Sequence, residues 1–411
     1  MQDAELLQAL IDRLRVRGEP PGAGRLSGSD WKELLELSRR HGVTPLLWLR
    51  LQPRGALADV PVDVSERLRK EYLDTAARGL LRQQALREVA EALGAAEIPV
   101  IVLKGAFLSE VVYSNLAARP MVDLDILVPR DNLAKAIEVL ATAGYRPRDP
   151  YSLDGIERIS KHIPALFGPQ GRVAVELHWT IASPRRDDRL NPGELWARRI
   201  GVTLGGTAVS ALGPEDLLLH VCSHVAYDDE FSPGLRPLCD LAEIARHYDA
   251  SLDWDVLVER AERWRWAPGV YLALRLARDW LGALVPGSAL EALCPREPVP
   301  SLFEAVRERL LAGTLGANSI QLSRVVRVLG APGLRAKLRE AVDRVWLDPD
   351  QMAWVQQTSP GPRPGLLWHL KRTCQVIRDY GPVLFRLASA PLATAKLLRS
   401  RVAIAGWLLR Q

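Results

Sequence analysis

Residues Val100 to Arg130 read VIVLKGAFLSEVVYSNLAARPMVDLDILVPR, a pattern that predicts a strand, a glycine turn, a short helix and a second strand. Residues 100–103 form a short apolar run after a proline, which is typical of a buried strand. Gly105 then allows a backbone turn that a side chain would obstruct. Residues 122–128 alternate between two kinds of side chain, which indicates a strand with two different faces.

Two carboxylates are expected on one face of this second strand. Asp123 and Asp125 are two residues apart and point the same way, whereas Leu124 and Ile126 point into the core. Two charges on an otherwise apolar strand are costly to bury unless a cation offsets them. Mg²⁺ or Mn²⁺ can do so, because such ions bind carboxylates together with substrate phosphates. The alternative is a solvated edge strand whose acids deter aggregation.

The order of these elements resembles the nucleotidyltransferase superfamily that shares the polymerase-β catalytic fold. Within it, the sequence is similar over about residues 30–290 to a bacterial family of uncharacterised nucleotidyltransferases with the signature LKG…RP-x-x-D-x-D-x-LV. The resemblance implies an α/β (α+β) fold, in which a small mixed sheet is flanked by N- and C-terminal helical domains. It also implies that Gly105 holds a triphosphate and that Asp123 and Asp125 bind the metals. A third carboxylate on a later strand, here Glu176, completes such a site.

The third carboxylate falls in a predicted β-hairpin made of HIPALF, the turn GPQG and RVAVELHWTI. On its second strand Glu176 and His178 share one face, and they match the acid-x-His-Trp pattern of the family. Glu176 is a candidate metal ligand or base, since a carboxylate beside an attacking hydroxyl can accept its proton. The alternatives are an ion pair across the hairpin for Glu176 and a structural hydrogen bond for His178, which is a candidate substrate contact.

Lys104 and Arg119 are the candidate phosphate ligands. Phosphoryl transfer is catalysed mostly by positioning and by charge neutralisation, so basic groups beside the phosphates are expected. Lys104 directly precedes Gly105, and Arg119 lies four residues before Asp123. The alternative for both is a solvated position on the surface.

Residues 213–345 return to a helical pattern that contains two histidines of interest. His220 and His224 are four residues apart on one helix face, a spacing found in zinc sites, but the glutamate of the H-E-x-x-H motif is absent. We expect one histidine to line the cleft beside the sheet and the other to be packed. His224 and Asp240 are the candidate substrate contacts of this region.

Residues 1–97 have the apolar periodicity of helices that pack on the sheet as a scaffold. One helix is predicted to begin near Trp31 with Ser29 or Asp30 as its cap, and a long helix to span residues 64–93. The apolar residues of the first helix are Leu6, Leu7, Leu10, Ile11 and Leu14.

Three further expectations concern single side chains. His41, at the end of a predicted helix, is expected to be exposed or hydrogen-bonded. Asp131 is expected to cap a helix over residues 131–143. The tryptophans of the later helical region are expected to pack in the core and not to stack on bases; they are Trp254, Trp264 and Trp266.

The predicted segments are a helical region over 1–97, a catalytic core over 98–212, a helical domain contacting substrate or base over 213–345, and a Pro/Gly linker with basic amphipathic helices over 346–411. The net charge of the chain is +5, yet from Arg363 onward nine basic residues face one acidic residue, a net charge of +8. Such a tail could contact an anionic membrane surface or a protein partner. The alternative that we favour packs it on the body of the protein with its basic face in water.

The composition describes a globular protein with more than one domain. The 411 residues are 48% hydrophobic and 25% charged, and no apolar run reaches the ~18 residues of a membrane span. The N-terminus lacks the basic start and apolar stretch of a signal peptide. The four cysteines are widely scattered, which excludes a zinc cluster or disulfide framework of close spacing and favours the cytoplasm.

We therefore predict an enzyme that moves a nucleoside monophosphate from a nucleoside triphosphate to an acceptor hydroxyl or phosphate and releases pyrophosphate. The acceptor is a small molecule, a peptide or protein, or a tRNA. Two alternatives stay open. Ala106 offers no hydroxyl to a phosphate, which is compatible with a non-catalytic binding module in a biosynthetic or envelope pathway. The second alternative is a toxin-like tRNA nucleotidyltransferase. A basic groove is expected in such an enzyme, but the part of the chain before the tail carries no net positive charge.

Overall fold

The computed structural model describes residues 3–17, 26–52, 56–149, 151, 153, 156, 160–182, 189–231, 234–295, 300–311, 328–330, 333–345, 373–374, 378 and 401–408. The predicted linker over 348–365 lies outside these residues, and so does most of the basic tail.

A mixed sheet of seven strands forms the centre of this part of the chain. The strands are β1 (Ile101–Val102), β2 (Asp123–Leu127), β3 (Arg146–Pro147), β4 (Leu166–Phe167), β5 (Ala174–His178), β6 (Ile200–Leu204) and β7 (Thr207–Ala211). Their order is β3-β4-β5-β2-β1-β7-β6. β2 runs parallel to β5 and β1 runs parallel to β7, whereas the other neighbours are antiparallel. The predicted α+β class, with a mixed sheet and helices on either side of it in sequence, is confirmed.

The alternation of acidic and apolar side chains predicted for β2 is present. Leu124 and Ile126 are completely buried, and on β5 Val175 and Leu177 are buried in the same way. The burial of these apolar side chains on one face leaves the other face of the two strands to the acidic residues.

Two hairpins complete the sheet. In the predicted one, β4 pairs with β5 across a 3₁₀ turn at Pro169–Gly171. The other joins β6 to β7 through Gly205 and Gly206, whose φ angles are 55° and 81°. Glycine adopts this left-handed region without strain, and a Gly-Gly pair between strands is a hairpin signal. The second hairpin was not predicted although its signal is present.

Helices precede the sheet in the chain: α1 (Asp3–Leu14), α2 (Gly28–Arg40), α3 (Thr44–Leu51) and α4 (Val62–Ala95). The predicted apolar residues of α1 are all buried. The prediction of Ser29 or Asp30 as the cap of α2 is wrong. Ser27 is the cap, because its extended backbone lets its side chain accept from the Asp30 amide while Asp30 accepts from the Ser27 amide. This reciprocal arrangement satisfies two amides that a helix start leaves free.

Short helices lie within the sheet region: α5 (Lys104–Phe107), α6 (Leu133–Thr142) and α7 (Pro192–Ala197). A π-helical turn at Leu108–Val112 follows α5. The expectation that Asp131 caps a helix is wrong, because Asp131 lies in a 3₁₀ turn and α6 begins without a side-chain cap.

The remaining helices are α8 (Pro214–Ser223), α9 (Arg236–His247), α10 (Trp254–Arg263), α11 (Ala267–Leu281), α12 (Gly287–Leu293), α13 (Pro300–Leu311) and α14 (Gly333–Val345), and a π-helical turn at His224–Asp228 follows α8. Trp264 and Trp266 are completely buried with ring centroids 5.1 Å apart, and Trp254 packs against the core. The predicted packing role of these tryptophans is confirmed. No helix in the described ranges is both long and apolar enough to cross a membrane.

His41 and the C-terminus differ from expectation. His41 is only 2% exposed, and neither ring nitrogen has a hydrogen-bond partner among the described residues. It is buried because the chain at Gly234 passes over the end of α2. Residues 401–408 form a helix with Trp407 buried on the body, as favoured, but Arg401 is buried and pairs with Glu230 at 3.4 Å instead of facing water.

Candidate active site

The parallel pairing of β2 and β5 brings acidic residues of both strands to one face of the sheet. Asp125 lies opposite Glu176, and Asp123 lies opposite Ala174. Residues that pair in register point to the same side. The side chains of Asp123, Asp125, Glu176 and His178 therefore share the face opposite the buried leucines and valines.

Three of these side chains form a compact group of metal-compatible donors. Ligand atoms of Asp125, Glu176 and His178 all lie within 4.8 Å of one another. The Nε2–H of His178 donates to Asp125 Oδ1 at 3.0 Å and lies 3.6 Å from Glu176 Oε2. Carboxylate oxygens suit Mg²⁺ and Mn²⁺, so this donor set fits a divalent cation. The solvated-edge alternative is not what the structure shows, because β2 lies between β5 and β1.

Asp123 is not a member of this compact group. It lies two residues nearer the start of β2, a displacement of about 7 Å along a strand. Burial, followed by the charges of Asp125 and Glu176, raises the pKa of Asp123 above its ordinary value. Burial is thus the largest obstacle to charging Asp123, the charges of Asp125 and Glu176 add to it, and a cation on this face would offset both.

The other two acids have lowered pKa values. Burial opposes the charge on Asp125, but the nearby charge of Lys104 and the hydrogen bond from His178 hold its pKa well below the ordinary value. Burial likewise opposes the charge on Glu176, and the hydrogen bond from His178 and the proximity of His162 lower its pKa. Both carboxylates therefore stay ionised near neutral pH, as metal ligands must.

Lys104 points into the acidic face. The backbone amide of Leu103 donates to the carbonyl of Asp125 at 3.0 Å, which places the next residue beside that strand. The Nζ of Lys104 lies 3.9 Å from Asp125 Oδ2, and the side chain is 14% exposed. Lys104 also has a φ of 36°, an uncommon value for a residue with a side chain. The solvated-surface alternative is thus wrong for Lys104.

Neighbouring side chains leave no room for a side chain at Gly105. A Cβ at this position would lie 2.9 Å from Cγ and Sδ of Met121 and 3.1 Å from Nη1 of Arg119. Real Cβ atoms essentially never come as close as 2.9 Å to another atom, so a residue with a Cβ here would force the Met121 side chain to move. The turn at the start of α5 therefore lies in close contact with the loop that carries Arg119.

Arg119 and Asp240 form a buried pair. Arg119 Nε donates to both carboxylate oxygens of Asp240 at 2.9 and 3.0 Å, and Nη2 donates to Oδ2 at 2.9 Å. The hydroxyl of Tyr113 donates to Asp240 Oδ1 at 2.9 Å. The Asp240 side chain is 2% exposed and that of Arg119 10%. Arg119 is therefore not a solvated surface residue, and Asp240 is held by Arg119 and Tyr113, while its contact with substrate stays a prediction.

One of the two histidines of α8 and its π-helical turn is packed, as expected, and the other is partly exposed. His224 is partly exposed, its Nδ1 lies 2.8 Å from Asp229 Oδ2, and its charge contributes to the lowered pKa of Asp125. His220 is 1% exposed and has no hydrogen-bond partner for its ring within the described ranges. Burial lowers the pKa of His220 well below its ordinary value. No metal-compatible group in the described part of the chain contains either histidine, so the zinc alternative has no support.

Sequence reasoning missed two residues that adjoin the acids. His162 forms a bridge with His178, and its Nδ1 lies 3.5 Å from Glu176 Oε2. Lys161 pairs with Asp228 and its backbone carbonyl accepts from the Trp179 amide. His162 is the first residue of the predicted strand HIPALF, and Lys161 directly precedes it. The register of that hairpin, followed to its open end, would have placed both residues beside the end of β5.

Comparisons with known proteins give one family and one solved structure. The model of a family described as "Uncharacterised nucleotidyltransferase" matches residues 27–282, a range that contains every candidate site residue. No curated protein matches. Among solved structures, the chain is similar to the solution structure of the antibiotic-resistance factor ANT(2'')-Ia, with 14% identity, a TM-score of 0.32, and coverage of 49% of this chain and 98% of that one. A similarity this weak carries no argument about activity.

Proposed function

Because the chain belongs to the family of uncharacterised nucleotidyltransferases, we propose that it transfers a nucleoside monophosphate from a nucleoside triphosphate to an acceptor. The acceptor oxygen, from a hydroxyl or a phosphate, forms a bond to the α-phosphorus, the bond to the bridging oxygen breaks, and pyrophosphate leaves. What carries this proposal is the register that sets Asp125 against Glu176 with Lys104 beside them.

Asp123, Asp125 and Glu176 would hold Mg²⁺ or Mn²⁺, and the hydrogen bond from His178 would orient the Asp125 carboxylate. The residues fit such an ion, because three carboxylates share one face and the charges of Asp125 and Glu176 add to the effect of burial in raising the pKa of Asp123. When bound, the ion neutralises phosphate charge and lowers the pKa of an attacking hydroxyl.

The positive residues act on the phosphates. Lys104 lies within 4 Å of Asp125, so it would contact phosphate oxygens bound beside this carboxylate. Its positive charge would neutralise the negative charge that develops on the leaving pyrophosphate. The absence of a side chain at Gly105 lets the loop with Arg119 approach this turn, so that Nη1 of Arg119 lies beside the proposed phosphate position. Arg119, whose charge is paired with that of Asp240, provides a second N–H donor at this turn.

Glu176 acts as a ligand in preference to a base. Its lowered pKa favours the ionised form but weakens it as a proton acceptor, since a general base works best with a pKa near the operating pH. His178 and His224 are the proposed contacts to the acceptor. The segments 98–212 and 213–345 are accordingly proposed as a catalytic core and a helical domain that borders it.

Asp123→Ala tests the proposal. We expect the variant to stay folded, because the charge that it removes is disfavoured in the metal-free protein, but to lose turnover and metal-dependent nucleotide binding. Calorimetry with each of the four nucleoside triphosphates and Mg²⁺ measures binding, and release of pyrophosphate measures turnover. Asp131→Asn is the control, because it removes an exposed acid just beyond the same strand.

Two results would contradict the proposal. Turnover by Asp123→Ala equal to that of the wild type would reject the assignment of the acids. A wild-type protein that binds no nucleoside triphosphate with Mg²⁺ or Mn²⁺ would instead favour a non-catalytic binding module. Incubation of the wild type with labelled nucleotide in a cell lysate, followed by mass spectrometry, would show whether a small molecule, a protein or a tRNA gains the label.

A further inference from the structure

The pair of Arg119 and Asp240 connects distant parts of the chain at the edge of the proposed nucleotide site. Arg119 lies in the loop that leads into β2, whereas Asp240 belongs to α9 and is 121 residues away in sequence. Three hydrogen bonds of 2.9 to 3.0 Å join the two side chains. A planar guanidinium bound in this bidentate way has little freedom to rotate.

The bidentate contact leaves one edge of the guanidinium available. Nε and Nη2 are both bound to Asp240, and Nη1 makes no hydrogen bond within the part of the chain that the structure describes. This nitrogen lies 3.1 Å from the point that a Cβ on Gly105 would occupy. The N–H groups of Nη1 are therefore at the turn where α5 begins, next to Lys104.

Tyr113 holds Asp240 in turn. Its hydroxyl donates to Asp240 Oδ1, and the residue follows directly on the π-helical turn at Leu108–Val112. A π-helical turn shifts the side chains after it relative to a regular α-helix, and such turns are frequent at functional sites. Here the shift directs the phenol across to α9.

Unlike the Lys104 side chain, the pair of Arg119 and Asp240 carries no net charge. Arg119 is neutralised by Asp240, so the pair as a whole adds little to the long-range field of the site. The pair offers an anionic ligand an N–H donor in a fixed position, so the site does not have to reorganise when the ligand binds.

We propose that Asp240 is a positioning residue for nucleotide binding: together with Tyr113 it fixes Arg119 so that Nη1 donates to a phosphate oxygen bound at the Gly105 turn. This inference rests on the proposed function.

The test measures affinity for each nucleoside triphosphate with Mg²⁺, and for inorganic pyrophosphate with Mg²⁺, by calorimetry on the full chain. We expect Asp240→Asn to weaken binding about tenfold, and Arg119→Met to weaken it to a similar degree, as for the loss of a charge-assisted hydrogen bond. Tyr113→Phe should weaken it by about threefold, because one anchor of Asp240 is lost.

The double variant Arg119→Met/Asp240→Asn separates positioning from a purely structural role. Asp240→Asn alone leaves Arg119 buried without its counter-charge and should lower the melting temperature. The double variant removes both charges, so its melting temperature should recover towards that of the wild type. Its nucleotide affinity should stay as weak as that of Arg119→Met, because Asp240 acts only through Arg119.

Asp216→Asn is the matched control. Asp216 is 1% exposed and pairs with Arg198 and Arg260 at 3.0 Å, so its loss breaks a buried ion pair of the same kind. We expect a lower melting temperature with unchanged nucleotide affinity.

The outcomes are distinguishable. Nucleotide affinity of Asp240→Asn and Tyr113→Phe equal to that of the wild type would overturn the inference and leave the proposed function standing. Recovery of affinity in the double variant would also overturn it, since the role would then be structural. A wild type that binds no nucleotide would overturn the proposed function and the inference with it. If Asp240→Asn does not fold, Tyr113→Phe and the double variant carry the test.

Discussion

Replacing His41 with glutamine is expected to make the protein less sensitive to acid. His41 follows α2 and lies against the backbone of Gly234, two residues before α9 begins. Burial, helped by the charge of Arg40, lowers the pKa of His41 from 6.5 to about 4. The chain thus keeps a neutral imidazole at the base of the helix that carries Asp240.

The magnitude follows from the difference between the folded and unfolded states. The unfolded chain binds a proton at His41 once the pH falls below about 6.5, whereas the folded chain does so only near pH 4. The stability that depends on neutral His41 is therefore complete above pH 6.5 and is lost as the pH falls through this interval. A pKa lowered by this amount corresponds to about 3 kcal/mol in full, of which about 2 kcal/mol is lost by pH 5.

Urea denaturation at about pH 7.5 and about pH 5 checks the prediction. The free energy of unfolding should fall between these pH values by about 2 kcal/mol more in the wild type than in His41→Gln. Proton NMR titration of the His41 ring gives its pKa directly. His247→Gln is a comparison variant: partial burial also lowers the pKa of His247, so its removal should reduce the pH dependence in the same direction but less than that of the buried His41. Equal losses in wild type and His41→Gln, or a measured pKa near 6.5, would refute the reasoning.

Two further substitutions test the packing around the site. Gly105→Ala places a Cβ against Met121 and Arg119. It should lower the free energy of unfolding by about 1–3 kcal/mol and weaken nucleotide binding. Adding Met121→Ala should restore the melting temperature, whereas unchanged stability and unchanged nucleotide binding in Gly105→Ala would contradict the contact. Glu230→Gln removes a charge partner of Arg401. It should lower the free energy of unfolding, measured by urea denaturation, by about 2 kcal/mol. An unchanged midpoint would show that residues 401–408 are not held against Glu230.

Local patterns allowed part of the site to be predicted from sequence. The alternation in β2 identifies which side chains enter the core, since strand geometry alone fixes it. The sequence placed Lys104 directly before the glycine turn, and the pairing of β1 with β2 brings it beside Asp125. The hairpin containing Glu176 was recognisable from its turn. These predictions depend on neighbours in the chain, which a sequence displays directly.

Pairings between distant residues were not predictable in this way. Nothing near Arg119 indicates that its partner is Asp240, because the contact depends on how α9 packs behind the loop before β2. The burial of His41 likewise depends on where Gly234 passes. The error at the start of α2 has a different origin: Ser27, Ser29 and Asp30 are all good caps, and the backbone conformation of Ser27 decides among them.

The separation of Arg119 and Asp240 has a consequence for synthesis of the protein on the ribosome. At roughly 5–20 residues per second, the 121 residues between them take roughly 6–24 seconds to translate. During this interval the nascent chain already carries Asp123 and Asp125, but α9 has not emerged. The full nucleotide affinity that we propose should therefore be reached late in translation, after the ribosome has passed the codons of α9.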